Sequence, residues 1–205
     1  MKHICIYNIG VGNPDLLMAK INVWQKLGAK ITMVCPDFIV KDYKTKATDI
    51  SFVPIPFCSL QSSKLLLIPE LLKRTIVAAF YSVRFSKGTT TLYSISSVLE
   101  SLLLPFFIKL FKPQVRWTAL FENEVSLKRE GSYLIRVLAF VFYKLSFLLL
   151  KKADVIFVIQ PELKTVLVKH GVLKDRIVLT GNAIDNQLIK RAVKQKKVQY
   201  EPSAD

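Results

Sequence analysis

Short apolar runs alternate with longer stretches of helical period along most of the chain. His3 to Ile9 (HICIYNI) is apolar almost throughout and predicts a buried strand. Gly10-Val11-Gly12-Asn13-Pro14 is a turn. Asp15 to Leu27 then places Leu16, Leu17, Ile21, Trp24 and Leu27 on one side of a helix, which Gly28 closes. Ile31 to Cys35 predicts the second strand, and Pro36 to Ile50 reads as polar and irregular. Ser51 to Phe57 (SFVPIPF) is apolar, but Pro54 and Pro56 cannot donate to a ladder, so an edge strand or an extended segment is expected. Ser59 to Ser63 is a loop. Lys64 to Lys87 is a long helical stretch that Pro69 starts or kinks, and Thr89 to Ser96 is a strand with a serine-rich carboxyl end. Val98 to Phe111 predicts an apolar helix kinked at Pro105. Gln114 to Phe121 is the fifth strand, and Tyr133 to Lys152 is a helix that is apolar almost all round.

The stretch from Lys151 to Asp185 compresses strand, helix and strand into about the shortest length of a βαβ unit. Val155 to Ile159 is a β-branched apolar run, as expected of a buried parallel strand. Pro161 suits the first turn of a helix through Leu163, Val166, Leu167 and His170, and Gly171 suits its left-handed end. Arg176 to Thr180 is the next strand, after which Gly181-Asn182 turns the chain.

Regular alternation of strand and helix predicts a Rossmann-like open, mostly parallel α/β sheet with helices on both faces. Such sheets take ligands beyond the carboxyl ends of their strands. Gly10 and Gly12, Glu122-Asn123-Glu124 and Asn182 all fall there. Gly10-x-Gly12 is not a dinucleotide fingerprint, because Asp15 stands where a third glycine would permit close helix packing. No cofactor is expected. Glu122-Asn123-Glu124 is open to two readings: a ligand site, or a helix start with Asn123 as cap and Glu124 in the first turn.

Hydrophobic residues make up 51% of the 205, enough for a sizeable core. Arg136 and Lys144 interrupt the most apolar helix before a spanning length of about 18–20 residues is reached. The N-terminus lacks the form of a secretory signal, so a cytoplasmic protein is expected. Cys5, Cys35 and Cys58 are odd in number and widely spaced, which suits buried free thiols. His3 and His170 pair with no cysteine, and no metal site is expected. The formal net charge of +15 calls for an anionic partner. It is spread among apolar helices and no nucleic-acid motif accompanies it, so an anionic membrane surface, on the inner face, is favoured over nucleic acid. Lys73, Arg74, Arg84 and Lys87 accompany Leu72, Ile76, Phe80 and Val83 in the 64–87 stretch. Arg136, Lys144 and Lys151 form a thin basic stripe on the 133–152 helix. For each, a sheet-covering helix and a membrane-surface helix both stay open.

The 151–185 stretch also resembles the end of the N-terminal half of family 4 glycosyltransferases, which have the GT-B fold. Ala153-Asp154, the apolar strand VIFVI, Gly171-Val172, Arg176-Ile177-Val178-Leu179 and Gly181-Asn182-Ala183-Ile184-Asp185 follow the family's order and spacing. Thr180-Gly181 replaces its Ile-Pro, and Ala183 its usual glycine. The resemblance implies half of a GT-B fold at 1–185, followed by a basic linker or tail at 186–205. It implies transfer of a sugar from a nucleotide-sugar to a glycan or lipid-linked acceptor. Glu122 then stands at the place of the family's catalytic polar residue, and Gly10, Gly12, Asn123, Glu124 and Asn182 are substrate-binding. The family's donor-binding half has no counterpart after Asp185, so the expectation is an acceptor-binding half that is inactive alone and works with a donor-binding partner subunit. The alternatives are an inactive truncated glycosyltransferase and a non-enzymatic basic scaffold on a membrane.

Overall fold

The structure is a computed structural model that describes residues 2–8, 14–44, 49–56, 67–85, 88–127 and 133–180. Among these residues, strand and helix alternate as β1 (His3–Tyr7), α1 (Pro14–Lys26), β2 (Lys30–Pro36), α2 (Asp37–Lys44), β3 (Ile50–Ile55), α3 (Leu67–Phe85), β4 (Thr91–Ser94), α4 (Leu99–Phe111), β5 (Arg116–Phe121), α5 (Tyr133–Leu150), β6 (Val155–Val158), α6 (Pro161–Lys169) and β7 (Ile177–Leu179). All seven strands lie in one parallel sheet, in the order β3-β2-β1-β4-β5-β6-β7. This is the Rossmann-like architecture expected from the alternation. Pro54 sits in β3, at the edge of the sheet, where its missing N–H breaks no ladder.

The sheet separates two apolar layers. On one face, Ile6, Ile31, Met33 and Leu120 meet Leu17, Met18 and Ile21 of α1 and Ile39, Val40 and Tyr43 of α2. On the other, Tyr7, Val34, Trp117 and Phe121 meet Leu102 and Leu104 of α4, Phe147 of α5 and Leu163 and Leu167 of α6. Burial pushes the Cys5 and Cys35 thiols up to about 12, so both stay protonated inside the core. Cys58 lies outside the described residues.

One expectation is corrected outright. Residues 37–44, read as irregular, form α2. The signal was short: Ile39, Val40 and Tyr43 are buried at three- and four-residue spacing, hidden among Asp37, Lys41 and Lys44. The Asp37 carboxylate accepts the Phe38 N–H at 2.9 Å and favours a helix start.

Pro105 does not break its helix, since α4 runs unbroken from Leu99 to Phe111. A proline there removes the bond to the carbonyl four residues earlier, that of Ser101. Ser94 fills the gap: its Oγ–H donates to the Ser101 carbonyl at 2.9 Å and its oxygen accepts the Trp117 Nε1–H at 3.1 Å. The network is buried and ties α4 to β4 and β5.

Asp154 joins the opposite, amino edge. It accepts the Trp117 N–H at 2.7 Å and pairs with Lys109 Nζ at 2.8 Å, while Lys109 also donates to the Pro113 and Val115 carbonyls. This fixes β6 in register beside β5. At the end of α6, Gly171 has φ +83°. Its N–H donates to the Val168 carbonyl and the Val172 N–H to the Leu167 carbonyl, the paired bonds of a Schellman motif. Val172 then buries against the same core as Leu167.

Candidate functional site at the carboxyl edge

β1 and β4 are neighbours, but the chain leaves them in opposite directions, toward β2 and β3 on one side and toward β5, β6 and β7 on the other. Open sheets of this kind take ligands beyond the carboxyl ends of the strands at such a reversal. The residues at those ends are Asn8 after β1, Ser96 after β4 and Glu122 after β5.

Asn8 is fully buried. Its backbone N–H donates to the Val34 carbonyl at 3.0 Å and its Nδ2–H to the Tyr43 hydroxyl at 3.0 Å. No described residue donates to its buried Oδ1. Ser96 Oγ accepts the Val98 N–H at 3.2 Å and so turns the chain into α4, whose N-terminus faces the same edge.

Glu122 is half-buried, and burial raises its carboxyl above the ordinary 4.5, an effect that the attraction of Lys20 partly offsets. Lys20, on α1, is half-buried too. Burial pulls its ammonium down while the Glu122 charge holds it up, and its Nζ–H donates to the Tyr93 hydroxyl at 3.3 Å. Tyr93 comes from β4, with Trp24 edge-on at 5.0 Å between ring centres. Burial and then the Glu122 charge push its phenol up, so it stays a neutral donor and acceptor. Lys20 of α1 and Tyr93 of β4 are thus hydrogen-bonded to each other, and the charge of Glu122, just after β5, acts on both at the carboxyl edge. A partly dehydrated carboxylate within the field of a cation can accept a hydrogen bond or a proton from a hydroxyl brought against it.

The sequence alone does not single out Lys20 and Tyr93. The signal was present: Lys20 stands within the apolar stripe of Leu17, Ile21 and Trp24, where a solvated lysine has no place. Asn123 and Glu124 do not join the group. Both are exposed. The Glu124 charge acts instead on Tyr143 of α5, whose phenol burial pushes up to about 12. The alternative in which Asn123 caps a helix is corrected as well: residues 122–126 form no helix, and α5 begins at Tyr133. Gly10, Gly12 and Asn182 lie outside the described residues.

A separate open cavity of about 900 Å³ lies at the amino edge, lined by Gln25, Lys30, Asp49 and Ser51 among others. Parallel sheets of this type do not take ligands at that edge.

No protein-family model matches the sequence, and no curated protein matches it. Solved structures do match its fold. MurG of Acinetobacter baumannii aligns with a TM-score of 0.54 at 15% identity, covering 100% of this chain and 50% of MurG. UDP-GlcNAc 2-epimerase of Neisseria meningitidis, solved with UDP-GlcNAc bound, aligns at 0.61 and 14%, covering 97% of this chain and 51% of the epimerase. Anabaena HepE, in complex with UDP-glucose, aligns at 0.59 and 8%, covering 98% and 51%. The chain therefore spans about half the length of these proteins and has the fold of one half of a GT-B architecture.

Proposed function

We propose that the chain is the acceptor-side half of a glycosyltransferase of the family 4 kind, which transfers a sugar from a nucleotide-sugar to a glycan or lipid-linked acceptor. The observation that carries this reading is the half-buried Glu122, whose charge acts on the hydrogen-bonded Lys20 and Tyr93, at the carboxyl edge of a sheet whose fold neighbours include proteins solved with UDP-GlcNAc and UDP-glucose. Glu122 is the catalytic group: its carboxylate accepts a hydrogen bond from the acceptor hydroxyl, and the Lys20 charge favours its ionised form. Gly10, Gly12, Asn123, Glu124 and Asn182 keep the substrate-binding roles that the family resemblance implies. The family resemblance assigns the cations or helix N-termini aimed at the donor diphosphate to a donor-binding half.

The thermal midpoint of the purified chain with UDP-, GDP- and ADP-sugars tests this division of labour, because a ligand that binds only the folded state raises the midpoint. The expected result is no rise with any nucleotide-sugar and no transfer by the chain alone. A clear rise with one of them would mean that this half binds donor itself, and would overturn the acceptor-side assignment.

A further inference from the structure

One helical layer of the molecule is unusually dressed. α4 packs against α3 on one side and α5 on the other, so the outward sides of the three helices form one continuous surface. On α3, Leu72, Ile76 and Phe80 recur every four residues and are exposed, Phe80 by 75%. On α4, Phe107, Leu110 and Phe111 are exposed, Phe111 by 83%. On α5 the outward positions are Val141, Leu145 and Leu148. A helix that merely covers a sheet gives such positions to polar residues, and a soluble protein seldom shows an apolar patch of this extent without a use for it.

The charge on the same surface has one sign. Glu70 on α3 is tucked between Lys73, at 2.7 Å, and Arg74, at 3.2 Å. Glu100 on α4 is partly buried, and α5 contains neither Asp nor Glu. Lys73 reaches solvent from α3, while Lys144 is exposed on α5 and Lys151 and Lys152 just beyond it. The surface therefore offers apolar ridges and ammonium groups, while the two carboxylates of its three helices are paired, at Glu70, or partly buried, at Glu100.

A second copy of the chain would bring like charge onto like charge, against a net charge of +15 on each. A bilayer with anionic headgroups complements both features at once, hydrocarbon for the ridges and phosphate for the lysines. No helix among the described residues is long and apolar enough to cross a membrane. We propose that α3, α4 and α5 together form a platform that docks flat on an anionic lipid surface, with Phe80 and Phe111 entering the boundary between headgroups and acyl chains. This stands independently of the glycosyltransferase reading.

The test is co-sedimentation of the full chain with vesicles of phosphatidylglycerol and phosphatidylcholine, against vesicles of phosphatidylcholine alone. Binding to the anionic vesicles that weakens with salt is expected. Phe80→Ser with Phe111→Ser should weaken it by about tenfold or more. Leu27→Ser, at an exposed position in the turn just after α1 on the other face, should leave it unchanged. Should the double variant melt early, Leu148→Gln alone serves, with a smaller loss in the same direction. Failure to bind anionic vesicles, or binding that these variants leave intact, would overturn the proposal. So would a dimer in light scattering that the same variants break, which would make the surface a contact between copies.

Discussion

Glu122 costs the fold stability in its ionised form, because the raised carboxyl binds its proton more tightly folded than unfolded. Between the ordinary 4.5 and the raised value the native state holds more protons than the unfolded chain, so stability contributed at this position falls as pH rises through that window. Above it the penalty is present in full; below about 4.5 it is absent. Glu122→Gln should therefore raise the thermal midpoint at neutral pH and leave it unchanged near about pH 4, a difference that scans at the two pH values read directly. A carboxylate kept where it weakens the fold is what a binding or catalytic role predicts. The position itself followed from sequence, by its place at the end of an apolar strand. Its partners did not, because Lys20 and Tyr93 sit 102 and 29 residues upstream and only the sheet order brings them together.

At the scale of elements, the residues that carried the family resemblance turn out to have plain structural work. Asp154 anchors the amino edge through Trp117 and Lys109. Gly171-Val172 closes α6 with a Schellman motif. Gly171→Ala puts a Cβ at a left-handed φ and within 3.2 Å of the Lys151 side chain, and should cost about 1–2 kcal/mol in denaturant unfolding. Ser94→Ala leaves the Ser101 carbonyl and the Trp117 indole N–H without their partner in the core and should cost about 2–4 kcal/mol by the same measurement. The strands and most helices were legible because their apolar runs have one clear period each. Residues 37–44 escaped because a helix of eight residues shows barely two turns of pattern. The turn after β5 was ambiguous because the same three polar residues suit a cap or an edge, and only the start of α5 at Tyr133 decides.

For the whole molecule, fold and charge point to two different surfaces. The carboxyl edge carries the Glu122 group, and the outer side of α3, α4 and α5 carries the apolar and basic platform. The central claim is that the carboxyl edge receives a sugar acceptor. Amide chemical shifts of the chain during titration with short oligosaccharides and glycosyl phosphates, the soluble counterparts of glycan and lipid-linked acceptors, test it most directly. The account predicts saturable shifts clustered at Asn8, Ser96, Glu122 and Asn123, lost in Glu122→Ala, with Lys26 to Lys30 at the amino edge unmoved. Shifts confined to the amino edge, or none with any of these ligands, would contradict it.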